Sequence, residues 1–253
     1  MQTITSKDQT PIAFDVTGSG PALILITGAL NYSSFGSVSD LAPLLQDAFT
    51  VYAYDRRGRN QSGDTPPYHI DREIEDLSAL IDHAGGKAFL YGHSSGGALA
   101  FLATGKLPEK IIATAVYEPA YSPGLKADLT TRLFMLQNQH LLRQGDNLGL
   151  VTRFMRYVGM NESLIQSILN PPTGPILVAM AGTLLYEARI LLAVRPFLKK
   201  HARNIRTPMF FLAGDKSFSN TVENMRHFVE AVPGSSSQVI HGQDHTIDAS
   251  RRS

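Results

Sequence analysis

Two serines stand side by side in the stretch GHSSGG, residues 92–97, where an apolar run meets what reads as the start of a helix. The bare pattern G-x-S-x-G is common in a chain this rich in glycine and serine, so its context carries the information. A buried strand that turns sharply into a helix projects the central hydroxyl to the carboxyl ends of the strands, where α/β sheets bind ligands. The turn also aims the positive end of a helix at any negative charge that develops there. Ser94 is then the candidate nucleophile. Ser95, one position on, offers its backbone N–H to an oxyanion while its side chain need do nothing. The plainer alternative is a capping serine, with Gly96 and Gly97 easing helix–sheet packing.

A serine hydroxyl needs a hydrogen-bonded base to attack a carbonyl. Of the eight histidines, His83 and His227 fall on helical patterns, His140 and His201 in a helical block, and His69 in a proline-rich loop. His93 adjoins Ser94, but at a strand end its side chain points the opposite way. His241 closes the last strand, which leaves His245, in the loop GQDHT, as the preferred base. The base in turn needs a carboxylate to fix its tautomer. Asp215, directly after the apolar run MFFLAG, is preferred; Glu118 in VYEP and Asp244 beside His245 are the competitors. The order Ser94, Asp215, His245 is that of acyl hydrolases on α/β sheets. An oxyanion hole needs two N–H donors aimed at one point. Ser95 supplies one, and the turn TGALN after the ALILIT run supplies the other, from Ala29 or alternatively Leu30.

These residues require a particular frame. Apolar runs at 3–6, 12–17, 22–27, 49–54, 87–91 and 111–117 alternate with helical patterns at 38–48, 73–83 and 95–105. Continuous Val/Ile/Leu/Phe runs between helices predict a mostly parallel sheet covered on both faces. The alternation stops at residue 122. Residues 122–206 read as an all-helical cap and its connecting helices, lying over a core made of 1–121 and 207–253. Strand character returns at 209–213 and 237–240, with a helix at 221–232 between them. The cap is rich in Leu, Met, Phe and Ile. Most of these make its own core, and a minority line a pocket suited to an apolar group. Its arginines 132, 143, 153, 156, 189 and 195 read as solvated, with one of them available to clamp a substrate carboxylate. Asp55 and Arg57 read as structural, holding the turn after the fourth strand.

Composition excludes several classes. Net charge is +1, which carries no electrostatic footprint for nucleic acid or an anionic membrane. Cysteine is absent, which excludes disulfides, thiolate catalysis and sulfur-ligated zinc. No apolar segment reaches the roughly 18 residues of a membrane span, and the polar N-terminus lacks the apolar core of a signal peptide. The expected location is cytoplasmic, and the expected partner is a small molecule.

Four landmarks together resemble the α/β-hydrolase superfamily over nearly the full length: TGAL, DRRGRNQS, GHSSGG, and the late Asp215 and His245. The resemblance implies an eight-stranded, mostly parallel sheet, an active site under a helical cap, and no cofactor or metal. Thr27 stands where the family often has histidine, and Asn60 where it usually has glycine, a residue type that tolerates left-handed geometry. Eight residues follow His245, where the family usually has a full helix. The implied activity is hydrolysis of an ester, lactone or thioester of a small, largely apolar substrate. The same residues would serve C–C bond hydrolysis, acyl transfer or cofactor-free perhydrolysis, and a small-molecule-binding protein with a slow triad is a reading from another class.

Overall fold

The computed structural model describes residues 1–121 and 123–246. Residue 122, where the cap was expected to begin, and most of the tail after His245 lie outside the described residues.

Eight strands form one sheet in the order β1-β2-β4-β3-β5-β6-β7-β8. They are β1 (Gln2–Thr5), β2 (Pro11–Thr17), β3 (Ala22–Ile26), β4 (Thr50–Tyr54), β5 (Ala88–His93), β6 (Ile111–Tyr117), β7 (Met209–Gly214) and β8 (Ser236–Ile240). β1 and β2 pair antiparallel, as do β2 and β4; every other neighbour is parallel. The expected sheet is therefore the observed one. β3 is buried along its whole length, as a central parallel strand with helices on both faces must be.

Helices α1 (Ser37–Leu45), α2 (Ile70–His83), α3 (Ser95–Lys106) and α9 (Thr221–Ala231) accompany the sheet. α2 begins three residues before the apolar periodicity does. His69 caps it by accepting a hydrogen bond from the Asp71 backbone N–H, so its polar first turn was invisible to a hydrophobic pattern. On one face of the sheet Leu77, Leu80 and Ile81 of α2, Phe101 of α3 and Phe228 of α9 join the main core. On the other, Leu23, Leu25, Val51 and Tyr91 pack with Val38 of α1.

Between β6 and β7 run five helices: α4 (Leu125–Arg143), α5 (Asn147–Tyr157), α6 (Glu162–Leu169), α7 (Thr173–Ala179) and α8 (Leu184–Lys200). They build a second apolar cluster around Leu150, Val151, Met155, Ile165, Leu177 and Leu184, which also takes in Leu30 and Tyr32 from the turn after β3. α8 belongs to both layers. Leu184 lies in the helical cluster, while Ile190, Val194 and Leu198 enter the sheet's main core. Among the described residues no single helix is long and apolar enough to cross a membrane.

Candidate active site

β5 delivers Ser94 to the carboxyl edge of the sheet and α3 begins at once. Ser94 takes φ 56°, ψ −122°, a left-handed torsion that L residues avoid. The flanking glycines carry no such torsion; they supply room. A Cβ on Gly96 would lie 2.3 Å from the Ile26 carbonyl oxygen, and one on Gly97 would lie 2.8 Å from Val116 Cγ1. α3 can thus press against β3 and β6 only because both positions lack side chains. Left-handed torsions recur nearby at Leu30 (φ 54°) and Glu118 (φ 47°). Of these three residues, Ser94 and Glu118 line one cavity.

The expected serine and histidine meet. His245 Nε2 lies 3.2 Å from Ser94 Oγ. The ring's other nitrogen, Nδ1, donates to Glu118 Oε2 at 2.5 Å, which leaves Nε2 as the acceptor for the serine proton. Glu118 is almost fully buried, its side chain 1% exposed against 26% for His245. Its other contacts hold it still: Oε1 accepts the Gly214 N–H at 2.9 Å, and Oε2 accepts the Ser217 hydroxyl at 2.7 Å.

Asp215 is not the carboxylate at His245. Its Oδ2 accepts from His241 Nδ1 at 3.0 Å and its Oδ1 from the Gly242 N–H at 2.7 Å. Those two bonds hold its carboxyl below the ordinary range. Its side chain is 30% exposed, and that of His241 90%. The physical reason is strand order. β6 lies beside β5, whereas β7 is one strand further away, so the residue that ends β6 is the nearer to Ser94. The signal was present in the pair Glu118-Pro119, an acid at a strand end before a residue that cannot continue it. Asp244 also turns away, accepting from its neighbour Thr246 through Oδ1.

The loop that carries His245 is fastened to the sheet through its backbone. Tyr117 donates its hydroxyl to the Asp244 carbonyl at 2.6 Å, and the Lys216 N–H reaches the Gln243 carbonyl at 2.9 Å. His93 Nε2 donates to the carbonyl of His245 itself at 2.7 Å. Burial pushes the His93 pKa down to about 3, with the neighbouring His245 adding to the effect. The ring therefore stays neutral and keeps one N–H to donate. His93 is not part of the cavity lining; its ring packs 4.8 Å from that of His245, centroid to centroid.

The turn after β3 passes directly against the serine: a Cβ on Gly28 would lie 3.2 Å from Ser94 Cβ. Ala29 and Ser95 both line the cavity that Ser94 faces, whereas Leu30 is buried in the helical cluster. The Ser95 hydroxyl is buried without a hydrogen-bond partner.

Two arginines that the sequence reading left unassigned brace this turn. Arg59 Nη1 donates to the Gly28 carbonyl at 2.5 Å and to the Asn31 carbonyl at 2.9 Å, and its Nη2 pairs with Glu187 on α8. Arg56 donates to the Thr27 carbonyl at 3.2 Å and forms a forked pair with Glu73 of α2 at 2.7 and 2.8 Å. Arg57 and Asp55 are structural, as expected. Arg57 forks onto Asp76 at 2.8 and 2.7 Å, and Asp55 accepts from the Ser33 N–H and from Asn60. Asn60 itself has φ 43°, the left-handed geometry anticipated for it.

The cavity is about 410 Å³. Its floor is Ser94, Ser95, Glu118, His245 and Ala29. α4 contributes Phe134 with Thr130 and Thr131, α5 Phe154 and Tyr157, and α8 Glu187, Ala188 and Leu191. Among the described residues no group of three or more His, Asp and Glu side chains is placed to hold a metal ion.

A family model described as the alpha/beta hydrolase family matches residues 23–251. The chain belongs to that family. An α/β hydrolase from Sphaerobacter thermophilus DSM 20745 shares 35% identity and a TM-score of 0.84, over 97% of this chain and 95% of that one. A malate-bound thermophilic esterase from Thermogutta terrifontis matches at 20% identity and TM-score 0.77, over 97% and 92% of the two chains. The enol-lactonase from Burkholderia xenovorans LB400 matches at 17% identity and TM-score 0.72, over 94% and 91%. The last two likenesses are of fold. Within an α/β hydrolase, the bent serine, the late histidine and the buried acid occupy the carboxyl edge of the sheet, where that fold binds ligands.

Proposed function

We propose that this α/β hydrolase is a serine hydrolase that cleaves carboxylic ester or lactone bonds through an acyl-enzyme. The observation that carries the reading is the hydrogen-bonded sequence Ser94 Oγ, His245 Nε2, His245 Nδ1, Glu118 Oε2. Ser94 Oγ attacks the carbonyl carbon and its proton passes to His245 Nε2. Glu118 stabilises the imidazolium through Nδ1–H without taking the proton. The new oxyanion is held by the backbone N–H groups of Ser95 and Ala29. When the tetrahedral intermediate collapses, the C–O bond to the leaving group breaks, and that oxygen takes the proton from Nε2. Water then gives a proton to Nε2 and adds to the acyl carbon; the bond from that carbon to Ser94 Oγ breaks, and Oγ takes the proton back from Nε2. For a lactone the leaving hydroxyl stays attached to the acyl chain. A thioester follows the same course with sulfur leaving.

In this reading the helices between β6 and β7 are a cap that shapes the substrate site, and the substrate is a small molecule with apolar parts set against Phe134, Phe154, Tyr157 and Leu191. A fluorophosphonate probe tests it. One equivalent should attach to Ser94 in the wild-type protein and none in Ser94→Ala, with p-nitrophenyl butyrate turned over only by the former. A folded protein that takes up no probe would contradict the proposal.

A further inference from the structure

Resting on that hydrolase reading, we infer that the site selects neutral esters and rejects substrates that carry a carboxylate. Charge at the cavity wall is the basis. Among the described residues that line it, the ionisable ones at neutral pH are Glu118, Glu187 and His245; none is lysine or arginine. Glu118 is committed to His245. Glu187 faces the cavity from α8, and the cations that balance it stand behind it, at Arg56 and Arg59.

Those two guanidiniums cannot serve a ligand. Both are 1% exposed, and neither belongs to the cavity lining. Their donors go to Glu73, Glu187 and the carbonyls of Thr27, Gly28 and Asn31. The remaining donor, Arg59 Nε, is itself buried. Nor does a cap arginine reach in. Arg195 pairs with Asp128, Arg156 with Glu162, Arg153 with Gln137, and Arg189 donates to the Tyr68 carbonyl. Arg132 and Arg143 are exposed on α4. The clamp for a substrate carboxylate that the cap arginines offered in sequence is absent from the cavity wall.

An anionic substrate would therefore lose its hydration beside two carboxylates whose cationic partners are already engaged, with no lysine or arginine among the described wall residues to replace the lost water. A neutral ester with an alkyl or aryl group meets rings and aliphatic carbon instead. Neutral polar groups can donate to the hydroxyl oxygens of Thr130 and Thr131, whose own protons go to the Lys126 and Ala127 carbonyls, and can pair with the amide of Asn220.

Three p-nitrophenyl esters test this: the hexanoate, the half-ester of adipic acid, and the half-ester whose far carboxylate is replaced by a primary amide of the same size. The expected result is that the amide and the hexanoate are hydrolysed and that kcat/KM for the acid is lower than for the amide by about 100-fold. An acid hydrolysed within about threefold of the amide overturns the charge inference and leaves the hydrolase reading standing. Failure of all three esters, together with no fluorophosphonate label on Ser94, overturns both. A second arm adds the missing cation. Leu191→Lys should narrow the acid-to-amide gap by about tenfold, while Leu191→Gln, polar but uncharged, should leave the ratio as in wild type. An equal gap in all three proteins would also overturn the inference.

Discussion

Arg56, Arg57 and Arg59 are buried at the sheet's rim with a carboxylate or carbonyl for nearly every donor, whereas Asn138 of α4 is just as buried and neither of its side-chain polar atoms has a partner. The helices themselves differ in the same way. α3 is buried from Ser95 to Thr104. α4, 19 residues against the 12 of α3, buries only Asn138 and leaves Leu125, Leu129, Leu133 and Leu136 exposed. The core thus over-determines the positions of Ser94, Glu118 and the turn at Gly28, including three left-handed torsions that would otherwise relax. α4 is held by fewer buried side chains, the character expected of elements that open locally. In the proposed reaction the first region sets the geometry for bond making, and the second sets what arrives.

The largest break in this contrast comes at Glu187 of α8, which forms ion pairs with Arg56 and Arg59 at the sheet's rim. Glu187→Ala removes the carboxylate shared by Arg56 and Arg59 and leaves buried guanidiniums undercompensated. Loss of one partner of a buried pair costs about 3–5 kcal/mol, and urea unfolding should show a drop of that order. A change under about 1 kcal/mol would mean that Arg59 finds other acceptors and that the tie is dispensable.

Next comes His93, which holds the His245 carbonyl and in the proposed reaction is a positioning residue. His93→Ala should lower kcat by about tenfold with KM nearly unchanged, the cost of one lost hydrogen bond to a catalytic loop. His93→Gln, which keeps a donor near the same place, should recover most of it. pH supplies a second readout. The folded pKa of about 3 lies below the ordinary 6.5 of histidine, so between those values the unfolded chain binds the extra proton. This contribution to stability is full above pH 6.5 and falls as pH drops toward 3. The wild type should therefore lose more stability than His93→Gln between pH 7 and pH 5; equal losses would count against a buried neutral ring.

The smallest effect is expected at Asn138. Asn138→Leu replaces two unpaired buried polar atoms with methyl groups on the same branched skeleton, and should raise stability by about 1 kcal/mol. A loss instead would show that the amide contributes a contact the cap requires.

Much of this was readable before any coordinates. ALILI, VYAY and FLYGH have the continuous apolar character of parallel strands, and the bend at Ser94 is marked by glycines whose need for space can be inferred from strand-to-helix context. His245 could be chosen because the other histidines fall on elements that face elsewhere. The carboxylate that bonds His245 could not be chosen this way. Asp215 and Glu118 both end apolar runs, and only the pairing of β6 with β5, with the left-handed torsion at Glu118, decides which one reaches Nδ1. Pairing is a long-range property that local patterning does not encode. Arg56 and Arg59 were missed for a related reason. A run of charged residues after a strand reads as a solvated turn, and the carboxylates that draw them inside come from α2 and from α8, far along the chain.

Paired substitutions test directly whether Glu118, and not Asp215, orients His245 in the proposed reaction. Glu118→Gln keeps the shape of the side chain but presents an amide to Nδ1, so kcat/KM for p-nitrophenyl butyrate should fall by about 10³- to 10⁴-fold in a protein that still folds. Asp215→Asn, on the exposed side of the His241 turn, should stay within about threefold of wild type. The reverse pattern, with Asp215→Asn inactive and Glu118→Gln near wild type, would contradict the account.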